Sequence, residues 1–297
     1  MDGARRGSRG PQVCGSSPPR QGNFVGQVEI IEPARSGESF LIMAAGIELR
    51  VCHSLEDFDE CVRLEHVTWG EHIVVPSAML VVAEHTGGQT VAAFDGEKMV
   101  GFAYAVAGLR PGQQFLHSHM AAVLPEYQNS GIGRKLKMFQ REVALQQRIS
   151  LIEWTFDPLE LKNAHFNLAR LGAVARRYLP NCYGITDSPL HAGMPTDRLI
   201  AEWWLIAPRT QAILEDKPVS SGAHAIRISV PSGLAATRAS NPDAGLRIQS
   251  GVREKFQQWL ERGFVATGIE SLGETASYIL EPGYAISGLQ LPESHKD

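Results

Sequence analysis

The chain lacks several things that would decide its class at once. In 297 residues there is no apolar run of membrane-spanning length, so no membrane partner is expected. Its four cysteines, Cys14, Cys52, Cys61 and Cys182, form no Cys-x-x-Cys pair and no zinc spacing. That argues against a disulfide framework and favours free thiols in a reducing cytoplasm. Lys and Arg number 28 against 32 Asp and Glu, a net charge of −4, so the basic surface of a nucleic-acid binder is missing. With 43% hydrophobic and 20% charged residues, the chain has the make-up of a globular protein with a real core.

The first residues carry Arg5, Arg6 and Arg9 among Gly and Ser, with no periodicity and no apolar signal core. Residues 1–42 read as a disordered extension, with Met43 as a usual start and ordered structure from Gly46.

Beyond it the patterning is regular. Residues 47–51 alternate as a strand. Ser54 suits an N-cap, followed by acidic Glu56 and Asp57 and a helix to Gly70. Residues 76–83 fit a short helix or an apolar strand. Two apolar runs around Asp95-Gly96 predict a hairpin, 108–114 a loop, and 117–123 a further strand. Helix 131–148, strand 151–156, helix 163–171 closed by Gly172, and strands 173–178 and 199–206 follow. Residues 211–225 and 232–244 read as irregular, 225–230 as a strand, 252–262 as a helix, and 264–269 with 277–280 as a strand pair.

The junction between strand 117–123 and the long helix is the most telling segment. Gln128, Gly131 and Gly133 form Gln-x-x-Gly-x-Gly there. Such a turn aims unpaired backbone N–H groups, and the positive end of the helix dipole, at one point. A pyrophosphate fits that point, and glycine lets it come close. A dinucleotide-binding fingerprint would need a third glycine where Leu136 stands.

The pattern Val-x-Pro-x-Tyr-Gln-x-x-Gly-x-Gly-x-x-Leu, from Val123 to Leu136, resembles the acyl-CoA motif of the GNAT (Gcn5-related N-acetyltransferase) superfamily. The stretches Trp154 to Leu159, Asn163 to Asn167 and Gly193 to Arg198 resemble an uncharacterised bacterial branch of it, described as predicted acetyltransferases. The resemblance runs over about residues 46–285. It implies an α/β (α+β) fold: a GNAT-like mixed central sheet with helices on both faces, plus a C-terminal α+β extension. The expected domains are 46–208 for acyl-CoA and 209–297 for the extension, which would continue the sheet or pack beside it and close the acceptor cleft.

The resemblance also implies a donor, acetyl-CoA, with no metal, and an acceptor that is a small-molecule or peptide amine. Backbone groups of Ala121, Ala122, Val123 and Leu124 would meet the pantetheine arm. Gln128, Asn129, Ser130, Gly131, Ile132, Gly133 and Arg134 would cradle the pyrophosphate. Proton transfer then needs a base and an acid. His117 and His119 share a strand face, and His119 is the candidate base, with Glu153 and Asp157 as alternatives; Asp157 before Pro158 fits a cap better. The tyrosine that family members carry on the helix after the fifth strand, four residues before its closing glycine, is replaced by Leu168. Asn163 and Asn167, at i and i+4, could contact CoA, and Tyr183 or Tyr178 could supply the proton. Asp197-Arg198 at a strand mouth reads as an acceptor contact or a local pair, and of Trp203 and Trp204 at least one should be core.

The reading that follows is an acyl-CoA-dependent N-acyltransferase working by direct transfer. A non-catalytic GNAT-fold module that binds acyl-CoA is the alternative. Self-association into a homodimer is left open.

Overall fold

The computed structural model describes residues 29–30, 41–44, 46–71, 73–185, 193–272 and 275–283. Twelve strands among them join one sheet in the order β1-β2-β3-β4-β5-β6-β7-β9-β8-β11-β12-β10. Strands β1 (Glu29–Ile30), β2 (Leu41–Ala44), β3 (Ile47–Val51), β4 (Gln89–Asp95), β5 (Lys98–Arg110) and β6 (Gln113–Val123) pair antiparallel in succession. Strand β7 (Leu151–Phe156) then lies parallel to β6. Strands β8 (Val174–Leu179), β9 (Arg198–Trp204), β10 (Ile226–Pro231), β11 (Phe264–Leu272) and β12 (Thr275–Pro282) complete the sheet.

Helices cover both faces. Helices α1 (Leu55–Trp69) and α2 (Ser77–His85) lie on one side and α3 (Ile132–Gln146) on the other. Strand β4 shows why its sequence is apolar throughout. Ala92 and Phe94 enter a core with Phe58, Leu64 and Leu80, while Val91 and Ala93 enter the opposite core with Ile132, Leu136 and Phe139. Ser54 caps α1 as expected, its Oγ accepting the Asp57 N–H at 3.2 Å. None of the described helices is long and apolar enough to cross a membrane.

Several sequence expectations need correction. Ordered structure starts before Gly46, because Leu41–Ala44 pairs in register with β3; most of 1–42 lies outside the described residues. The segment 108–114 is not a loop. Strands β5 and β6 run through it, with Leu109 opposite Gln114 and only a tight turn at Gly112. Gly108 permits this because the Phe115 ring occupies the place a Cβ would take. Residues 211–225 begin inside a helix, α5 (Pro208–Leu214). The segment 232–244 forms α6 (Leu234–Ser240) and the start of α7 (Pro242–Leu260), whose N-cap Asn241 accepts the Ala244 N–H. The residues after Leu161 make α4 (Leu161–His165) and then a π-helical turn, Phe166–Arg170.

The C-terminal part continues the sheet through β11 beside β8, with Ala266 opposite Ala175. Side chains rivet the two halves together. Tyr278 Oη donates to the Pro158 carbonyl at 2.6 Å, and Arg238 reaches Asp157 at 3.3 Å. The strongest tie is Asp197, 2% exposed, which accepts from Arg253 (2.8 and 2.9 Å), from Tyr178 Oη (2.7 Å) and from the Asn181 N–H (2.9 Å). Burial alone would raise its pKa; Arg253, the Asn181 N–H and Tyr178 overcome that and hold it below the usual carboxylate value.

Removing Arg253 while Asp197 stays buried leaves a charge without its partner, so Arg253→Met should cost on the order of 3 kcal/mol at pH 7. The folded-state pKa of Asp197 is depressed, so this contribution is present above the unfolded value and fades as pH drops below about 4. Denaturant melts of both proteins at pH 7 and pH 3 check it. A difference that persists undiminished at pH 3 would count against the ion pair as its source.

Candidate active site

Among the described residues the sheet has one parallel seam, and it opens there. Strands β6 and β7 pair at Leu116 with Ile152 and at His117 with Glu153, and at no later position. From Ser118 and Trp154 onward they separate. A cavity of about 660 Å³ fills the split, with Ser118 to Val123 on one wall and Trp154 and Thr155 on the other. Its outer end meets the first turn of α3 at Gly133, and Trp69 and Ile73 line it from the α1 side.

The glycine turn has the predicted geometry. Gly131 is the N-cap of α3 at φ 88°, and no side chain caps the helix. Asn129 is also left-handed, at φ 60°. The turn is pinned from behind. Gln128 Nε2 donates to the Val123 carbonyl at 3.1 Å, Ser130 Oγ to the Tyr127 carbonyl at 2.5 Å, and Tyr127 Oη to Asp95 at 2.8 Å. A Cβ added at Gly131 or Gly133 would meet nothing within 4 Å, so the turn is uncrowded on that side. The first turn holds no acidic residue. Arg134 Nε is buried with no hydrogen-bond partner among the described residues, a second donor beside the turn.

His119 stands at the centre of the β6 wall. Pairing between β5 and β6 slips there: Tyr104 faces Met120 and Ala105 faces Ser118, leaving His119 as the extra residue of a β-bulge. A bulge re-aims its side chain, and this one faces the cavity. Desolvation in the recess lowers the His119 pKa below the ordinary 6.5, so its imidazole is neutral at pH 7. His117 shares its side, ring centroids 6.3 Å apart, but does not line the cavity.

The far wall comes from the π-helical turn and the segment before β9. Leu171 N–H reaches back to the Phe166 carbonyl, and the widened turn places Asn167 and Phe166 on the cavity, with Asn163 one turn earlier. Asn167 is 1% exposed and its Nδ2 has no partner among the described residues. An orphaned buried amide costs about 1–3 kcal/mol, which a ligand acceptor would recover. Tyr183 Oη lies 2.8 Å from Thr155 Oγ1, and the Arg198 guanidinium sits 5.4 Å from the Tyr183 ring centroid. Tyr183 itself is held by its N–H donating to Thr196 Oγ1 at 2.8 Å.

Of the expected site residues, the structure brings His119, Ala121, Ala122, Val123, Gly133, Asn163, Asn167 and Tyr183 to one cavity. Gln128, Asn129, Ser130, Gly131 and Arg134 belong to the turn at its mouth. Ile132 begins α3 but turns its side chain into the core. Two expectations fail. Leu124 is core, and its N–H is already taken by the Val100 carbonyl at 2.9 Å, so it cannot pair with a ligand. Glu153 is no base. It sits at the last paired position of the seam, below the split, and accepts from Arg110 at 2.7 and 2.5 Å and from Arg177 at 2.5 Å. Stripping a buried carboxylate of such partners costs several kcal/mol. Asp157 is a cap, accepting the Leu159 N–H at 2.8 Å, and Tyr178 is bound to Asp197 away from the cavity. Asp197 is a structural tie, whereas its neighbour Arg198 does face the cavity. Among the described residues, the C-terminal extension supplies no lining residue of the cavity. Two further residues line the cavity: Thr155, inside the Trp154 to Leu159 stretch but with no role of its own expected there, and Lys137, which belongs to no motif.

Among solved structures, the ribosomal-protein-S18-alanine N-acetyltransferase of Escherichia coli is similar at 15% identity, covering 52% of this chain and 92% of its own, with a TM-score of 0.42. For yncA of Salmonella typhimurium, solved with its cofactor acetyl-CoA, the values are 14%, 54%, 94% and 0.45. For Arabidopsis thaliana Naa50, in complex with a bisubstrate analogue, they are 15%, 53%, 98% and 0.43. No curated protein matches the chain. The acetyltransferase (GNAT) family model matches residues 54–172, roughly two fifths of the chain. That span contains the bulge, the split seam, the glycine turn and the π-helical turn, and over it the chain is similar to that family.

Proposed function

We propose that the protein is an acyl-CoA-dependent N-acyltransferase that transfers the acyl group directly to an amine. One observation carries the reading: a single cavity connects the open glycine turn of α3 with a neutral histidine on the bulged strand. The pyrophosphate would rest on the N–H groups of the turn, and the pantetheine arm would lie in the split and take the edge of β6 at residues 121–123. His119 accepts a proton from the acceptor amine as its nitrogen attacks the thioester carbonyl. The C–S bond breaks, and Tyr183 returns a proton to the departing thiolate. The CoA thiol is weakly basic, with an ordinary thiol pKa of about 8.5, so a modest donor suffices. Tyr183 fills the part left vacant by Leu168. The acceptor, a small-molecule or peptide amine, would enter past Trp69 and Ile73 toward Arg198. A module that binds acyl-CoA without turning it over has the Leu168 departure in its favour; CoA release that depends on an added amine separates the two.

Binding is tested first. Saturating acetyl-CoA at about a hundred times its Kd should stabilise the protein by roughly 2.7 kcal/mol, read as a rise in Tm. Gly133→Asp is the informative control. Its Cβ has open space and an acidic residue in the first helical turn is favourable, so the unliganded protein should melt no lower. The same carboxylate faces the pyrophosphate, so the ligand-induced rise should vanish. A full rise in the variant would remove the turn from the site.

The pH profile tests His119. With its pKa held below 6.5, the base stays neutral as pH falls from 8 to 7 and is protonated only further down. The acid limb of kcat/KM should therefore have its midpoint below 6.5. His119→Gln should lower kcat by about 10²–10⁴-fold and abolish that limb. An unchanged limb in the variant would assign it to another group.

A further inference from the structure

Lys137 lies one helical turn beyond Gly133 on α3, and both line the cavity. Its Nζ is 2.8 Å from Ser118 Oγ, 2.9 Å from Gln140 Oε1 and 4.2 Å from the Trp154 ring centroid. Ser118 and Trp154 are the first residues past the last paired positions of β6 and β7. The amine therefore marks the closed end of the split. From Val123, where the glycine turn begins, Ser118 is five strand residues away, roughly 17 Å. An extended pantetheine arm spans such a length, so a thioester carried into the split arrives near Lys137.

The electrostatics at that end are one-sided. Lys137 is only 6% exposed, and among the described residues no carboxylate pairs with it. Burial lowers its pKa to about 7. The two buried carboxylates nearby are already claimed, Glu153 by Arg110 and Arg177, and Glu202 by Arg176. Among the described residues, the cavity wall holds His119, Lys137, Tyr183 and Arg198 and no Asp or Glu. An apolar side chain would fill the same space without the desolvation that a lysine incurs. Ser118 and Gln140 satisfy two of its donors; the charge itself lacks a counter-ion.

Resting on the acyl-CoA reading above, we propose that Lys137 recognises a carboxylate at the far end of the acyl chain, so that the preferred donor is a dicarboxylic acyl-CoA of the succinyl class. A carboxylate delivered there would pair with the ammonium and restore its proton. An acetyl group, lacking the carboxylate, leaves the amine uncompensated.

Affinities of the full chain for CoA, acetyl-CoA and succinyl-CoA, measured by calorimetry for the wild type, Lys137→Met and Arg198→Met, decide it. The expected result is succinyl-CoA bound about tenfold or more tighter than acetyl-CoA by the wild type. Lys137→Met should erase that preference while still binding CoA, and Arg198→Met should keep it. The melting temperature of Lys137→Met should not fall, which separates lost recognition from lost fold. Equal affinities in the wild type overturn the proposal, as does a preference that survives Lys137→Met or disappears instead in Arg198→Met. Failure of all three ligands to bind the wild type overturns the acyl-CoA reading itself, and this proposal with it.

Discussion

The structure depends on one seam that is made and then abandoned. Strands β6 and β7 share hydrogen bonds at two registers and then part. Backbone groups on the freed edges must find partners elsewhere, because buried and unpaired they are costly. The cavity runs along those freed edges. The rest of the fold holds the opening at a fixed width. The long β5–β6 hairpin braces one wall, and β9 with the π-helical turn braces the other. At the last paired register, the arginine clasp on Glu153 adds charge pairing to the backbone pairing.

Much of this was legible in the residues. The glycine turn announced itself because its signal is local: three residue types at fixed spacing between a strand and a helix. Strands with clean alternation and helices with a Ser cap or a closing Gly were placed within a residue or two for the same reason. The failures share a different character. The turn at Gly112 looked like a loop because its hairpin is defined by the pairing of residues brought together by the ring of Phe115 on Gly108. Glu153 looked like a base because alternation gives a side chain's direction but not the depth at which two strands separate. Lys137 looked like one more basic residue on an amphipathic helix. Its burial follows from Trp154 and Ser118, which the chain brings to it from two other elements.

The π-helical turn belongs to the same lesson. Asn163 and Asn167 stood out by type, since asparagine is a poor helix former. What the sequence did not give away is the extra residue in the turn, which rotates Asn167 so that its amide is buried and left without a protein partner. A regular helix there would have placed the side chain elsewhere. The bulge at His119 works likewise on β6. In both walls, one residue beyond the regular repeat sets the aim of the polar group.

The tie between Asp197 and Arg253 has a mechanical meaning. The residues around Tyr183 and Arg198 are fastened in two ways. At β9 they are held by a ladder of backbone bonds, which yields only if the sheet tears. At Asp197 they are held by one carboxylate and the groups that converge on it. The cavity wall that carries Tyr183 and Arg198 thus stands on a rigid edge and is fastened by several side chains, Asp197, Thr196 and Gln249 among them. Arg253 and Gln249 reach it from α7, which supplies no lining residue of the cavity among the described residues.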